Sequence, residues 1–130
     1  MRTSKYLLVI TMVIISSLAR AEWQEVATTN DQSHFFVDWS TLKVNGSVRR
    51  AWTLRSFVNI SPKSQPSSIT SVTEFECVND KIREMQVTGY EKQMAKGKSG
   101  ELSSDSVGKW YFPEPQAPMF QVLKAVCNKR

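Results

Sequence analysis

The predicted fold class is α+β: antiparallel strands over most of the chain, then one C-terminal amphipathic helix packed on the sheet by a disulfide. Three observations predict it. From Trp23 to Tyr90, β-branched and aromatic residues recur in short runs broken by Asn, Gly, Ser and Pro, which is the signature of short strands. After Pro118 the apolar period changes for the first time, from two to about 3.6. The only two cysteines, Cys77 and Cys127, lie one in each region.

The 130 residues make one small domain. Arg2 and Lys5, an apolar run from Tyr6 to Ile15, and Ala19-Arg20-Ala21 read as the basic, hydrophobic and small-x-small parts of an export signal over residues 1–21, followed by a domain over 22–130. The apolar run is shorter than the roughly 20 residues that span a bilayer, so no transmembrane anchor is expected after cleavage. Cleavage removes three of the 17 Lys and Arg residues and none of the 12 Asp and Glu, which lowers the net charge from +5 to +2 over 109 residues. Nucleic acid is therefore not an expected partner, because such affinity grows with the number of phosphates neutralised. In an exported chain an even cysteine count argues for one disulfide, with two free thiols as the alternative. A bond closing a loop of about 50 residues contributes about 4 kcal/mol.

The elements follow in order. Trp23–Ala27 is a first short strand and Thr28–Ser33 a polar turn. His34–Asp38 is a second strand, and Asp38-Trp39-Ser40-Thr41 reads as a turn because Asp and Ser bond their own backbone two residues on. Asn45-Gly46 is the clearest hairpin signal, since both residues tolerate positive φ. From Val48 to Val58, Val48, Trp52, Leu54 and Val58 share one parity and Arg49, Thr53 and Arg55 the other, so the first set is expected to face the core. Ser61–Ser68 is a loop. Ile69–Val78 resumes the sheet, with Ile69, Phe75 and Cys77 inward and Glu74 and Glu76 outward. A tight turn at Asn79-Asp80 sets Cys77 opposite Ile82 and Glu76 opposite Arg83, and a β-bulge near Arg83 and Glu84 is needed to bring Met85 and Val87 into line.

Glu91–Gly100, with Lys92, Lys96 and Lys98, reads as an exposed mobile loop, and Trp110–Phe112 as a short aromatic strand stopped by prolines. In the last segment Met119, Phe120, Val122, Leu123, Val126 and Cys127 fall within about 160° at 100° per residue, which makes an amphipathic helix with Cys127 on its buried face. A bond from Cys127 to the inward-facing Cys77 pins that helix to the sheet.

Little in the chain points to catalysis, and the domain is expected not to be an enzyme. His34, the only histidine, shares strand parity with Asp38, but no nucleophile motif accompanies the pair. One His and two bonded Cys supply no zinc set, and no calcium loop is present, so no metal and no cofactor is expected. Glu74 and Glu76 read as a charge ladder with Arg49, Arg55, Lys81 and Arg83. Gly97-Lys98-Ser99-Gly100 lacks the spacing of a phosphate loop. What remains is surface. Trp39, placed in a turn, is a candidate recognition residue unless it caps the core, and Lys92, Lys96 and Lys98 are a candidate contact for an acidic partner or lipid head groups unless they only keep a loop soluble.

Phe36-Val37-Asp38, Trp52-Thr53-Leu54, Glu74-Phe75-Glu76-Cys77, Val87-Thr88-Gly89-Tyr90, Gly108-Lys109-Trp110 and Ala125-Val126-Cys127 come in the order found in the surface-adhesin protein E family, which the chain resembles over nearly all of the domain. The resemblance implies about six antiparallel strands with a C-terminal helix tied to them by a disulfide. It also implies binding of a protein partner, a host extracellular-matrix protein, and leaves room for a homodimer. The adhesin that names the family is a lipoprotein, whereas no cysteine stands at this cleavage site. Export to the periplasm, the medium or the cell surface without a lipid anchor is expected, with a non-enzymatic envelope or accessory protein, or an inhibitor, as the other reading.

Overall fold

The computed structural model describes residues 21–58 and 65–130. The expected signal lies outside the described residues but for Ala21, as do residues 61–64 of the expected loop. The strands are β1 (Trp23–Thr28), β2 (His34–Asn45), β3 (Val48–Ser56), β4 (Ser68–Glu76), β5 (Lys81–Lys92) and β6 (Lys96–Glu101), with α1 (Pro118–Cys127) after them. They form one six-stranded antiparallel sheet in sequence order. Short connections between sequence neighbours suffice for such a meander. The β2–β3 hairpin turns one residue on from expectation, at Gly46-Ser47: Asn45 pairs with Val48 as part of β2, and Gly46 alone, at φ 60°, takes the left-handed conformation.

One face of the sheet is covered by α1. Proline at the first helical turn starts the helix, and Met119, Val122, Leu123 and Val126 are its buried side. They meet Ala27, Phe35, Val37, Ala51, Phe75 and Ile82 in one cluster. Cys77 and Cys127 are joined, with Cα atoms 5.6 Å apart, so the bond ties the end of the helix to the turn after β4. Arg49 adds a second tie: its guanidinium donates to the carbonyl of Val126 at 3.0 Å and to that of Lys129 at the helix C-terminus. Cations at that end satisfy orphan carbonyls and oppose the helix dipole.

The structure corrects several expectations. On β3 the helix covers the parity of Arg49, Ala51, Thr53 and Arg55, so Trp52 and Leu54 belong to the opposite face. The reason is that Ala51 is small enough to let the helix approach. Thr53 is satisfied by Ser71 and Thr73 hydroxyls at 3.1 and 2.8 Å, and Arg55 pairs with Glu84 at 3.3 Å. Arg49 caps the helix rather than joining a carboxylate ladder. The remainder of that ladder is Arg83–Glu74 at 2.9 Å, while Glu76 accepts the Asn79 and Val78 amides in its turn. Those amides, Asn79 first, hold the Glu76 carboxyl below its ordinary pKa.

Asp38–Thr41 is no turn between strands. It is an outward bend inside β2, where four residues, 39–42, stand against Ala51 alone. The expected local bond exists within it, from the Ser40 amide to Asp38 Oδ1 at 3.0 Å. The β4–β5 pairing is shifted by two from expectation, with Glu76 opposite Lys81 and Phe75 opposite Ile82. The bulge falls at Gln86, φ 50°, rather than at Arg83 and Glu84, and it puts Met85 and Val87 on opposite faces. Glu91–Gly100 is not a loop: β5 runs to Lys92, and β6 pairs with it as the edge strand. Trp110–Phe112 is not a strand but a segment beside β5, paired with it through one bridge, Tyr111 to Ile82.

Candidate functional site

The sheet face away from α1 carries an open groove that bears both aromatic and polar groups. The groove, of about 850 Å³, is lined by Trp23, Asp38, Trp52, Tyr90, Met94 and Lys96, among others. Two features of the backbone build it. The bend in β2 swings Ser40 and Thr41 toward it, held by Thr41 Oγ1, which donates to the Asp38 carbonyl at 2.7 Å and accepts the Trp52 amide at 2.9 Å. On the other side the β5–β6 turn folds back over the sheet. Met94 and Ala95 there adopt φ near 58°, the sparsely populated left-handed region, and their amides donate to the hydroxyls of Ser56 and Ser68 at 3.1 and 2.9 Å. Ser68 in turn donates to the Lys92 carbonyl at 2.6 Å. These bonds fix the turn as a wall, and Leu54, of the same parity as Ser56 on β3, is fully buried.

Register aligns the groove's floor. Trp23 is directly opposite Asp38, and Asp38 directly opposite Trp52, so three neighbouring strands contribute an indole, a carboxylate and an indole in one row. Directly opposed residues share a face with Cβ atoms about 5 Å apart. Asp38 is buried, and its Oδ1 takes both the Ser40 amide and the Ser40 hydroxyl, the latter at 2.6 Å.

The residues singled out by sequence divide in space. Lys92 and Lys96 are cross-strand partners on the β5–β6 hairpin, and Lys98 lies exposed on β6. Lys96 reaches the groove wall. Trp39, just past Asp38, is half-buried against the helix-side core, and the Lys129 ammonium sits 4.8 Å over its ring. His34 pairs with Glu25 at 2.8 Å and not with Asp38. The Glu25 carboxyl is held below its ordinary pKa by the Thr28 hydroxyl first and by His34 second. Among the described residues no group of three His, Cys, Asp or Glu side chains gathers as a metal set, and no helix is long and apolar enough to cross a membrane.

Trp23, Asp38, Trp52 and Tyr90 were not identified as a site from sequence. A signal was partly present: continuing the Asn45–Val48 hairpin pairing without a bend sets Thr41, not Asp38, opposite Trp52. The bend in β2, whose Asp38-to-Ser40 signal reads from sequence as a turn ending the strand, moves Asp38 into that place while β2 continues.

The segment after β6 runs beside the first half of β5, where Tyr111 bridges Ile82 and the Gly108 amide donates to the Glu84 carbonyl at 2.8 Å. Arg83 lies 4.5 Å under the Trp110 ring and Lys81 5.7 Å from that of Phe112. Burial first, and the Glu84 charge second, push the Tyr111 hydroxyl up to about 12, with Arg55 acting in the opposite sense.

The family described as surface-adhesin protein E matches residues 23–128. No curated protein matches the chain. Among solved structures, the fold is similar to crystal form II of Haemophilus influenzae protein E, with a TM-score of 0.61, 10% identity, and coverage of 83% of this chain and 91% of that one. It is also similar to protein E from non-typeable Haemophilus influenzae, with a TM-score of 0.56, 11% identity, and coverage of 85% and 78%. At these identities the likeness is one of fold.

Proposed function

The chain belongs to the surface-adhesin protein E family, and from that premise we propose that it is an exported, non-enzymatic binding module whose partner is a host extracellular-matrix protein. The observation that carries the reading is the sheet face away from α1, where a groove with aromatic walls adjoins a hairpin bearing Lys92, Lys96 and Lys98. Aromatic side chains beside adaptable polar groups are what protein recognition surfaces are made of, and exposed cations speed encounter with an acidic partner. In this reading residues 1–21 are the export signal and 22–130 the working domain, in the periplasm, secreted or at the cell surface.

The test is direct binding of the purified, disulfide-bonded protein to immobilised fibronectin, laminin and type IV collagen, with a reduced and alkylated sample as control. Saturable binding that the control loses supports the reading. Absence of saturable binding to all three contradicts it and favours a non-adhesive envelope role.

A further inference from the structure

We propose that the Trp23–Asp38–Trp52 row is a receptor for one basic side chain, an arginine or lysine presented by an extended segment of the protein partner. The proposal deepens the adhesive reading and rests on it for the partner's being a protein.

Buried carboxylates are ordinarily paired with a cation. Asp38 is 4% exposed, yet its bonds are to the Ser40 amide and hydroxyl, both on Oδ1. Among the described residues no hydrogen bond reaches Oδ2, and none of the ion pairs includes Asp38. The carboxylate is thus held in one orientation with no cation among the described residues paired to it, and it lines the groove.

The tryptophans give an independent argument. A cation over an indole face is attracted by the ring's electron density. Of the four tryptophans, Trp39 carries Lys129 at 4.8 Å and Trp110 carries Arg83 at 4.5 Å. Trp23 and Trp52 carry no cation among the described residues, and they are the two that flank Asp38 by strand register. Two free indoles on either side of a fixed, unpaired carboxylate match a guanidinium or ammonium on a long apolar stem. The groove also selects against a run of basic residues, because Lys96 stands on its wall and repels a second cation. One basic residue with neutral neighbours is the segment that fits.

The test follows the four indole N–H signals of the isotopically labelled protein by NMR during titration with the blocked tripeptide acetyl-Gly-Arg-Gly-amide, with the glutamine analogue as the uncharged control. Trp23 and Trp52 are expected to shift saturably, with Trp39 and Trp110 unmoved. Asp38→Asn keeps an oxygen for Ser40 and removes the charge, and should weaken binding by about tenfold. If that variant misfolds, Trp52→Leu, on a half-buried position, serves instead with the same expected loss. Equal binding of the glutamine peptide, undiminished binding by the folded variant, or no saturable shift overturns the receptor. Matrix binding that persists when the arginine peptide fails overturns the receptor alone. Arginine binding without matrix capture upholds the receptor and removes the adhesive reading.

Discussion

The two faces of this sheet are closed in different ways. On one, Phe35, Val37, Phe75 and Ile82 meet four buried residues of α1, with a disulfide and the Arg49 cap fastening the helix from its C-terminal end. On the other, no helix among the described residues lies over the strands. A hairpin turn is held there by amide-to-hydroxyl bonds at Ser56 and Ser68, and Trp23, Trp52 and Tyr90 stay half-buried around a carboxylate. The first face is built from contacts that water would break apart if they opened. The second leaves apolar rings and a charge beside solvent, an arrangement that adds little to stability and suits a partner. Under the proposed function, stability and recognition fall on opposite sides of a single layer of strands.

The contrast breaks or holds under substitution. Phe75→Ala opens a cavity under α1 and should cost about 4 kcal/mol, whereas Trp52→Leu on the groove face should cost about 1 kcal/mol or less, both read from chemical denaturation. Equal losses would dissolve the distinction. Replacing both Cys77 and Cys127 by Ser releases a loop with a sequence separation of 50 and should lower stability by about 4 kcal/mol in the chain-entropy account, again by denaturant midpoint. Arg49→Met removes a charged donor from the helix end and should cost about 2 kcal/mol, with α1 the first element to gain hydrogen exchange.

The smallest effect is one of pH. Tyr111 is favoured in its neutral form by folding, since its pKa rises from 10.0 to about 12. The stabilisation is therefore fully present below about pH 10 and lost as pH rises through about 12. Absorbance titration should show one tyrosine ionising with a midpoint near 12, and Tyr111→Phe should remove that step.

Much of the helix-covered face was legible in the sequence, because its signals are local. The 3.6-residue period after Pro118, the inward parity of Phe75 and the hairpin signal at Asn45-Gly46 each act within a few residues, and the pairing of Cys77 with Cys127 followed from an even count in an exported chain. The groove face was hidden for physical reasons. Strand β6, Lys96-Gly97-Lys98-Ser99-Gly100-Glu101, has no apolar residue, and its pairing with β5 is carried by backbone bonds that composition does not report. Parity on β3 counted Trp52 and Leu54 as the apolar set and so put the core on the wrong side, although Ala51 was the residue that let the helix approach. The alignment of Trp23, Asp38 and Trp52 depends on a bend in β2 and on register across three strands, which are long-range properties.

Hydrogen exchange of the backbone amides, compared with and without whichever of fibronectin, laminin or type IV collagen the protein captures, tests the division of the two faces most directly. Slowed exchange at Asp38–Thr41 and Met94–Lys96, with α1 unchanged, is the predicted result. Slowing confined to α1 or to Trp110–Phe112 would contradict it.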